Sequence, residues 1–338
     1  MDLQLTWYIL IAVLIAGYAV LDGYDLGVGV LYPFLSRNKG ERAMLRSSIG
    51  PYWDGNEVWL ITGGGALFAA FPPVYAMTFS GFYLAIMLVL FGLILRAVAL
   101  EFRHRDEGRA AVWDAAFFIG SLVPALLFGV AAGNIIRGVP LTANGDYAGS
   151  FWGLLNPFAL LVRVAGLVMF ISHGAIWAAL KTEGELHVRS LLVFRWAHLL
   201  FVALVAGLTA YTAVEVSDHV KHNLTRPMGW VMIAALALSI VATRVALAAK
   251  KDRGSFVGSA ASIVALVGLA AVGDYPYLVP ARGSSALDGL AVHGASSSAL
   301  TLKVMLIVAV IGMPIVLGYS VFVYRTFRGR IRTDTAEY

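Results

Sequence analysis

The fold of this chain is decided by one stretch, Leu21-Asp22-Gly23-Tyr24-Asp25-Leu26-Gly27-Val28-Gly29, which lies within an apolar run from about residue 7 to 34. A helix that crosses a bilayer needs about 20 such residues. Each acid within a span costs about 2.5–3.5 kcal/mol on insertion scales and normally faces the interior of a helix bundle. Because Asp22 and Asp25 are three residues apart, they share one helical face. The stretch therefore predicts a membrane helix whose acidic face is covered by other helices.

The composition of the whole chain agrees with a membrane protein. Of its 338 residues, 59% are hydrophobic and 13% are charged, whereas a soluble domain carries about 25% charged residues. The mean hydropathy is +0.79. The chain has no cysteine, which excludes disulfides, iron–sulfur clusters and thiolate metal sites. A cleavable signal is not predicted, because the first apolar run has no charged segment before it and is too long.

The apolar residues fall into nine blocks. The sequence therefore predicts an all-α integral membrane protein of about nine transmembrane helices in a single membrane domain, 1–338. The connection at 273–300 is expected to be an ordinary polar loop. The predicted spans lie near residues 7–34, 57–73, 78–100, 112–133, 154–180, 190–213, 228–249, 255–272 and 301–325.

The positions of the basic residues predict the orientation. Nineteen of the 25 Lys and Arg residues, Arg332 in the tail among them, fall on one predicted side of the membrane. Cytoplasmic loops carry the Lys and Arg excess. We therefore expect the N-terminus outside and the C-terminus in the cytoplasm. Because topology explains the net charge of +5, nucleic acid is not indicated as a partner.

A second acidic group, Trp53-Asp54-Gly55-Asn56-Glu57-Val58-Trp59, lies at the cytoplasmic end of the second predicted span. Asp54 and Glu57 again share a helical face. Carboxylates that lead from the cytoplasm toward mid-membrane are what a proton-uptake path requires. Two structural alternatives remain open: Asp54 and Glu57 as a capping box, and Asp22 and Asp25 as hydrogen-bonding groups in helix packing.

Other polar residues within the spans leave alternatives open. His173 and His198 are candidates for haem ligation, or for ordinary hydrogen-bonded histidines in a protein interior. Arg96 is expected to anchor a helix end or to pair with an acid. Arg163 also lies within a span.

Glycines within the spans predict close helix packing. Gly23 and Gly27 form a G-x-x-x-G step, which allows another helix to approach closely. Close packing is also expected at Gly63-Gly64-Gly65, which lacks the Gly-Lys-Ser/Thr of a phosphate loop.

The same motifs carry a family resemblance. The run Gly17–Gly29, the run Ile49–Leu60 and the following Gly64-Gly65-Ala-Leu-Phe-Ala-Ala-Phe-Pro72 resemble the signatures of cytochrome bd ubiquinol oxidase subunit II. The resemblance extends from about residue 7 to 325. Further matches occur in the same order as in the family, at Phe79-Ser-Gly-Phe-Tyr83, Gly129-Val-Ala-Ala-Gly-Asn134, Gly138-Val-Pro140, Leu155-Asn156-Pro157-Phe158 and Gly184-Glu185-Leu186-His187.

This resemblance implies a fold of two four-helix bundles plus one peripheral helix, in the cytoplasmic (inner) membrane of a bacterium or archaeon. It implies a larger haem-bearing subunit I as partner, with haem b and haem d, and no haem bound directly by this chain. The complex would oxidise quinol and reduce oxygen to water. Some members contain a structural quinone, bound lipid or a small single-helix accessory subunit.

The resemblance also implies roles for particular residues. Asp54 matches the acid of the proton path, Asp22 and Asp25 match positions grouped with it, and Trp59 matches a tryptophan on an oxygen-access route. The chain departs from some members at Tyr52, where they have histidine, and at Glu57, where they have glutamine. Glu57 is therefore expected to add an acid to the path, whereas a relay through position 52 is in doubt.

Two rival functions remain at this stage. A proton-coupled secondary transporter or channel would also contain buried acids and glycine-rich helices. Such a protein is expected to carry polar sites in both halves, whereas the acids of this chain concentrate in its first 60 residues. The second rival is a structural scaffold for a redox subunit, in which the acids serve only packing.

Overall fold

The computed structural model describes residues 2–283, 285 and 287–331. Arg332 of the predicted basic tail lies outside them. The helices are α1 (Leu3–Leu35), α2 (Lys39–Ile49), α3 (Trp53–Ala70), α4 (Pro72–Gly81), α5 (Tyr83–Phe102), α6 (Ala110–Arg137), α7 (Pro157–Lys181), α8 (Gly184–Glu215), α9 (Asp218–Leu224), α10 (Pro227–Ala248), α11 (Asp252–Asp274) and α12 (Ala299–Thr326). Short 3-10 turns occupy Glu107–Arg109 and Phe151–Leu155, and two strands, β1 (Tyr277–Pro280) and β2 (Gly289–Ala291), pair antiparallel.

The prediction of an all-α membrane protein is confirmed. Among the described residues, eight helices are long and apolar enough to cross a membrane: α1, α5, α6, α7, α8, α10, α11 and α12. The predicted span at 57–73 corresponds to α3, which is not among the eight because its first turn is polar. With 18 residues, α3 is about 27 Å long, close to the thickness of the hydrocarbon core. A total of nine spans stays a prediction.

The structure differs from the prediction in one span, one loop and two short helices. The span expected at 78–100 is divided at Phe82 between α4 and α5. Pro72 starts α4 directly after α3. Proline is favoured in a first turn, where its missing N–H has no partner to lose. The prediction of an ordinary polar loop at 273–300 is wrong, because the strands β1 and β2 lie within this segment. The short helices α2 and α9 were also not expected from hydropathy.

Helix α1 lies at the centre of the packing. It contacts α3, α6, α7 and α11, while α5 with α6, α7 with α8, and α10 with α11 form closely packed antiparallel pairs. Helix α12 contacts mainly α1 and α3 and is largely exposed. The implied division into two four-helix bundles and a peripheral helix stays a prediction.

One of the two glycine predictions is confirmed and the other is wrong. A Cβ atom on Gly27 would lie 1.9 Å from the backbone oxygen of Phe170, and one on Gly174 would lie 2.4 Å from the carbonyl carbon of Gly27. Helices α1 and α7 therefore cross at backbone contact, as the G-x-x-x-G step predicted. The prediction of close packing at residues 63–65 is wrong within this chain, because a Cβ atom added to Gly64 or Gly65 would meet no neighbouring atom within 4 Å.

The two ends of the helix assembly have different chemistry. At the end that we name the basic face, the arginine-rich connections meet: Arg189 Nε donates to the backbone oxygen of Leu35 at 3.2 Å. At the other end, the opposite face, Trp7 Nε1 donates to the backbone oxygen of Leu302 at 3.0 Å. The first acidic stretch of α1 and the start of α3 lie toward the basic face.

Candidate functional site

The acids of α1 meet a fully buried arginine. Asp22, Asp25 and Arg96 each have 0% of their surface exposed. Arg96, which reaches in from α5, lies with its Nη2 atom 2.6 Å from Asp22 Oδ1 and also donates to Glu57 Oε1 on α3. One guanidinium therefore binds carboxylates from two other helices, and Arg96 is the partner of an acid, as one of its two sequence interpretations predicted.

Asp25 has a different environment from Asp22. Its Oδ2 atom accepts a hydrogen bond from Asn56 Nδ2 at 2.8 Å, and no described cation forms an ion pair with it. The Asp25 Oδ1 and Asp22 Oδ2 atoms are buried without a hydrogen-bond partner. Three carboxyl groups around one guanidinium have an excess of acid, and unbalanced buried charge is costly. A group of this composition is suited to hold and release protons. We name Asp22, Asp25, Glu57 and Arg96 the acid cluster.

A ring of hydrogen bonds borders the acid cluster toward the basic face. Asn56 Nδ2 lies 2.8 Å from the Tyr24 hydroxyl, and the Tyr24 and Tyr324 hydroxyls lie 2.5 Å apart. The Tyr324 hydroxyl donates to Asn56 Oδ1 at 3.4 Å, which closes the ring. Helix α12 thus contributes to a site that otherwise comes from α1, α3 and α5.

A buried ammonium group lies nearest the basic face. Lys181 Nζ donates to the Tyr52 hydroxyl and to the backbone oxygen of Phe327, both at 2.7 Å. The Tyr52 hydroxyl also donates to that backbone oxygen at 2.8 Å. Burial, together with the nearby Asp25 carboxyl, raises the pKa of Tyr52 to about 12. Position 52 therefore holds a neutral hydroxyl at physiological pH.

Asp54 does not join the acid cluster. It lies in the first turn of α3 on an exposed strip of that helix, which we name the open α3 face and which consists of Asp54, Gly55, Val58, Ile61, Thr62, Gly65 and Phe68. The capping-box alternative is wrong, because α3 begins at Trp53 and Tyr52 occupies its N-cap without a side-chain hydrogen bond. Glu57, with 20% of its side chain exposed, lies between this face and Arg96.

Trp59 packs on the other side of α3. Only 9% of its surface is exposed, and it packs against Leu14 and Tyr18 of α1. A Cβ atom on Gly17 would lie 2.3 Å from the Trp59 ring. The glycine therefore makes the space in which the indole lies.

The two histidines of the spans differ. His173 is bonded through both ring nitrogens, to Ser259 Oγ at 3.0 Å and to the backbone oxygen of Val20 at 3.1 Å. His198 has no hydrogen-bond partner at either nitrogen and is 1% exposed. It packs against Phe194 and Phe201. The hydrogen bonds of His173 agree with the interpretation of an ordinary interior histidine, whereas His198 lacks such bonds.

Two further observations concern polar groups in the described part of the chain. No group of three or more His, Asp or Glu side chains there could hold a metal ion. Arg163, on α7, keeps a buried Nε atom without a hydrogen-bond partner.

Sequence reasoning missed three members of the site, and it considered Tyr24 only as a hydrogen-bond partner of the α1 acids. Asn56 lies within the second acidic motif and therefore had a local signal that went unused. Lys181 and Tyr324 are 129 and 300 residues away from the tyrosines that they contact. No sequence spacing points to contacts of that kind.

Three acids enclosed around one arginine are typical of helical membrane proteins that contain a proton or ion pathway. Comparison with known proteins defines the family. The family described as cytochrome bd terminal oxidase subunit II matches residues 3–327, and the chain belongs to this family. It is therefore a subunit of a quinol oxidase, an oxidoreductase.

Individual relatives agree. The chain is 38% identical to cytochrome bd-I ubiquinol oxidase subunit 2 of Escherichia coli K12, with 99% of this chain and 97% of that protein covered. It is 36% identical to cytochrome bd ubiquinol oxidase subunit 2 of Bacillus subtilis 168, with 96% of each covered. The fold resembles the solved bd oxidase of Geobacillus thermodenitrificans, with a TM-score of 0.81 at 15% identity and with 97% of this chain and 99% of that chain covered.

Proposed function

We propose that this chain pairs with a haem-bearing subunit I, stabilises it, and supplies a proton path for quinol oxidation coupled to the reduction of oxygen to water. The observation that carries the proposal is the acid cluster, which places three carboxyl groups and one guanidinium inside the helix assembly. Reduction of oxygen to water consumes protons, and buried acids within membrane spans mark proton relays.

The proposed path begins at the basic face. Lys and Arg enrichment supports a cytoplasmic position for this face, and the proposal therefore has the N-terminus outside and the C-terminus inside the inner membrane. Asp54 is exposed at that end of α3, and Glu57 lies one turn further into the membrane. From Glu57 the path continues to Asp22, whose carboxyl is bound by the same Arg96 guanidinium, with Asp25 as the neighbouring acid.

The open α3 face is the proposed contact with subunit I. Lipid is a poor neighbour for this face, because Asp54 and Thr62 are polar and because Gly55 and Gly65 leave backbone uncovered. Glycine surfaces in membranes favour the close approach of another helix. A protein partner on this face would also bring its own groups to Asp54. Trp59, packed below the face, is the proposed wall of an oxygen-access route.

The haems b and d of the proposed complex belong to subunit I. The same proposal includes quinol as the substrate of the complex. A structural quinone, bound lipid and a small single-helix accessory subunit complete the expected assembly.

The two rival functions differ in their support. Family membership decides against the secondary transporter or channel. If the chain is only a structural scaffold, replacing its acids should affect assembly and nothing else. Measuring turnover in acid variants that keep a normal haem content tests this alternative.

Affinity purification of the tagged chain in mild detergent, followed by a reduced-minus-oxidised spectrum, tests the partnership. We expect the bands of haem b and haem d with a larger co-purifying subunit. A folded protein without partner or haem would contradict the proposal.

A further inference from the structure

The proposed path makes no use of Tyr324 and Lys181. Tyr324 joins α12 to the hydrogen-bonded ring beside the acid cluster, and Lys181 binds the backbone just after the end of that helix. The connection is specific, because the Tyr324 hydroxyl is bonded to Tyr24 and to Asn56. The question is what these contacts do to the neighbouring acid, Asp25.

The side-chain amide of Asn56 has two different ends. Its Nδ2 end donates to Asp25 Oδ2 and to the Tyr24 hydroxyl, while its Oδ1 end accepts from Tyr324. If the amide turned over, a carbonyl oxygen would face the Asp25 carboxylate, and neither atom could donate a hydrogen bond. The Leu21 backbone oxygen, which also accepts from Nδ2 at 3.2 Å, selects the same orientation, and the Tyr324 hydroxyl holds the other end of the amide at 3.4 Å.

Helix α12 is attached mainly at its two ends. Its middle segment, 314–319, is exposed on all sides. At the basic end, Lys181 Nζ and the Tyr52 hydroxyl both donate to the backbone oxygen of Phe327, and the backbone N–H of Ile331 donates to the backbone oxygen of Lys181 at 2.7 Å. These bonds hold the end of α12 where Tyr324 reaches the ring.

We propose that Tyr324 is a positioning residue for Asp25. Held in place by Lys181, it orients the Asn56 amide so that an N–H group meets the Asp25 carboxyl, and the last helix thereby tunes proton uptake. This inference rests on the proposed function of the acid cluster. An N–H donor favours the ionised form of a carboxyl group, so the orientation of one amide changes how readily Asp25 exchanges its proton.

Other charged or titratable groups also surround Asp25. A change at Tyr324 leaves all the others in place, so that a change in pH dependence reports on the amide ring. The groups that face Asp25 are Asp22 and Tyr24 on α1, Tyr52 beside α3, Glu57 on α3, Arg96 on α5 and Tyr324 on α12. His173 and Lys181 on α7 lie against Tyr24 and Tyr52 respectively.

The test compares Tyr324→Phe with Tyr319→Phe in the assembled oxidase complex at equal haem content. Tyr319 lies on the same helix, and 64% of its surface is exposed. We expect Tyr324→Phe to lower turnover about fivefold, the effect of one ordinary hydrogen bond, and to shift the pH profile of turnover. The infrared carbonyl band that disappears in Asp25→Asn should also shift. Tyr319→Phe should change none of these.

Two further variants separate positioning from general stability. Lys181→Met should reproduce the change in pH profile, and Lys181→Arg should restore the original profile because it keeps a cationic donor. If Tyr324→Phe does not assemble, the Lys181 pair carries the test, and an unchanged pH profile in Lys181→Met overturns the inference.

The outcomes distinguish this inference from the proposed function. If Asp25→Asn lowers turnover while Tyr324→Phe behaves like Tyr319→Phe, positioning by Tyr324 is overturned and the proton path stands. A loss of thermal stability in Tyr324→Phe with an unchanged pH profile also overturns it. If Asp25→Asn itself leaves turnover unchanged, the positioning inference is overturned, whereas the proposed function is tested separately by Asp54→Asn.

Discussion

Arg96 is the residue on which the geometry of the acid cluster depends, because it is fully buried and binds carboxylates from α1 and α3. The sequence predicted that Asp22 and Asp25 share a face, since that follows from helical periodicity. It did not predict that Arg96 pairs with Asp22 and that Asn56 bonds to Asp25. The first pair is separated by 74 residues, and only the packing of whole helices brings them together.

Replacement of Arg96 tests this dependence. Arg96→Gln leaves two buried carboxylates without their cation, which typically costs about 3–5 kcal/mol. We expect a large loss of assembled complex and a lower melting temperature in detergent. The double variant Arg96→Gln with Asp22→Asn should recover part of the loss, because it removes both charges. The control is Arg105→Gln in an exposed loop, and equal stability of the two single variants would contradict the account.

At the scale of helices, the sequence predicted contacts that follow from a local pattern of residues. It missed contacts that depend on which other helix packs alongside. The G-x-x-x-G step predicted the crossing of α1 and α7, because a missing Cβ permits backbone contact. The similar run at residues 63–65 faces outward instead. Helix α3 also begins four residues before its apolar block, since Asn56 and Glu57 find polar partners inside the protein.

Gly27→Ala tests the helix crossing. The added methyl group would meet the Phe170 carbonyl and separate α1 from α7, and overpacking of this kind costs about 1–3 kcal/mol. We expect a lower melting temperature of the purified complex. Gly207→Ala on α8 is the matched control, because nothing lies within 4 Å of that position. If both variants melt at the same temperature, the crossing is not as close as described.

Gly65→Leu tests the open α3 face as the contact with subunit I. The side chain has space within this chain, so we expect the helices to fold normally while co-purification of the larger subunit and of haem falls. The control is Gly207→Leu, on an exposed part of α8. Undiminished recovery of subunit I with Gly65→Leu would place the contact elsewhere.

At the scale of the molecule, charge and hydropathy predicted the class of protein because they act on whole segments. The eight long apolar helices confirm that class. The strands between α11 and α12 and the short helices α2 and α9 lie outside the apolar blocks, where hydropathy carries no signal. The orientation of the chain relative to the two sides of the membrane stays a prediction.

Single cysteines test the orientation directly, since the chain has none of its own. Ala143→Cys lies on the opposite face and Arg105→Cys on the basic face, and both positions are exposed. We expect a membrane-impermeant maleimide to label position 143 in intact cells and position 105 only after the membrane is opened. The reverse pattern would contradict the proposed direction of proton uptake.

The most direct test of the central claim is the turnover of Asp54→Asn in the assembled complex, compared with Asp146→Asn in an exposed loop of the opposite face. The substitution keeps the size of the side chain and removes its proton exchange. We expect Asp54→Asn to lower oxygen reduction with saturating quinol about a hundredfold or more, the scale of a lost proton-transfer group, while haem b and haem d content stays equal to the control. Unchanged turnover at equal haem content would show that protons do not enter through this chain.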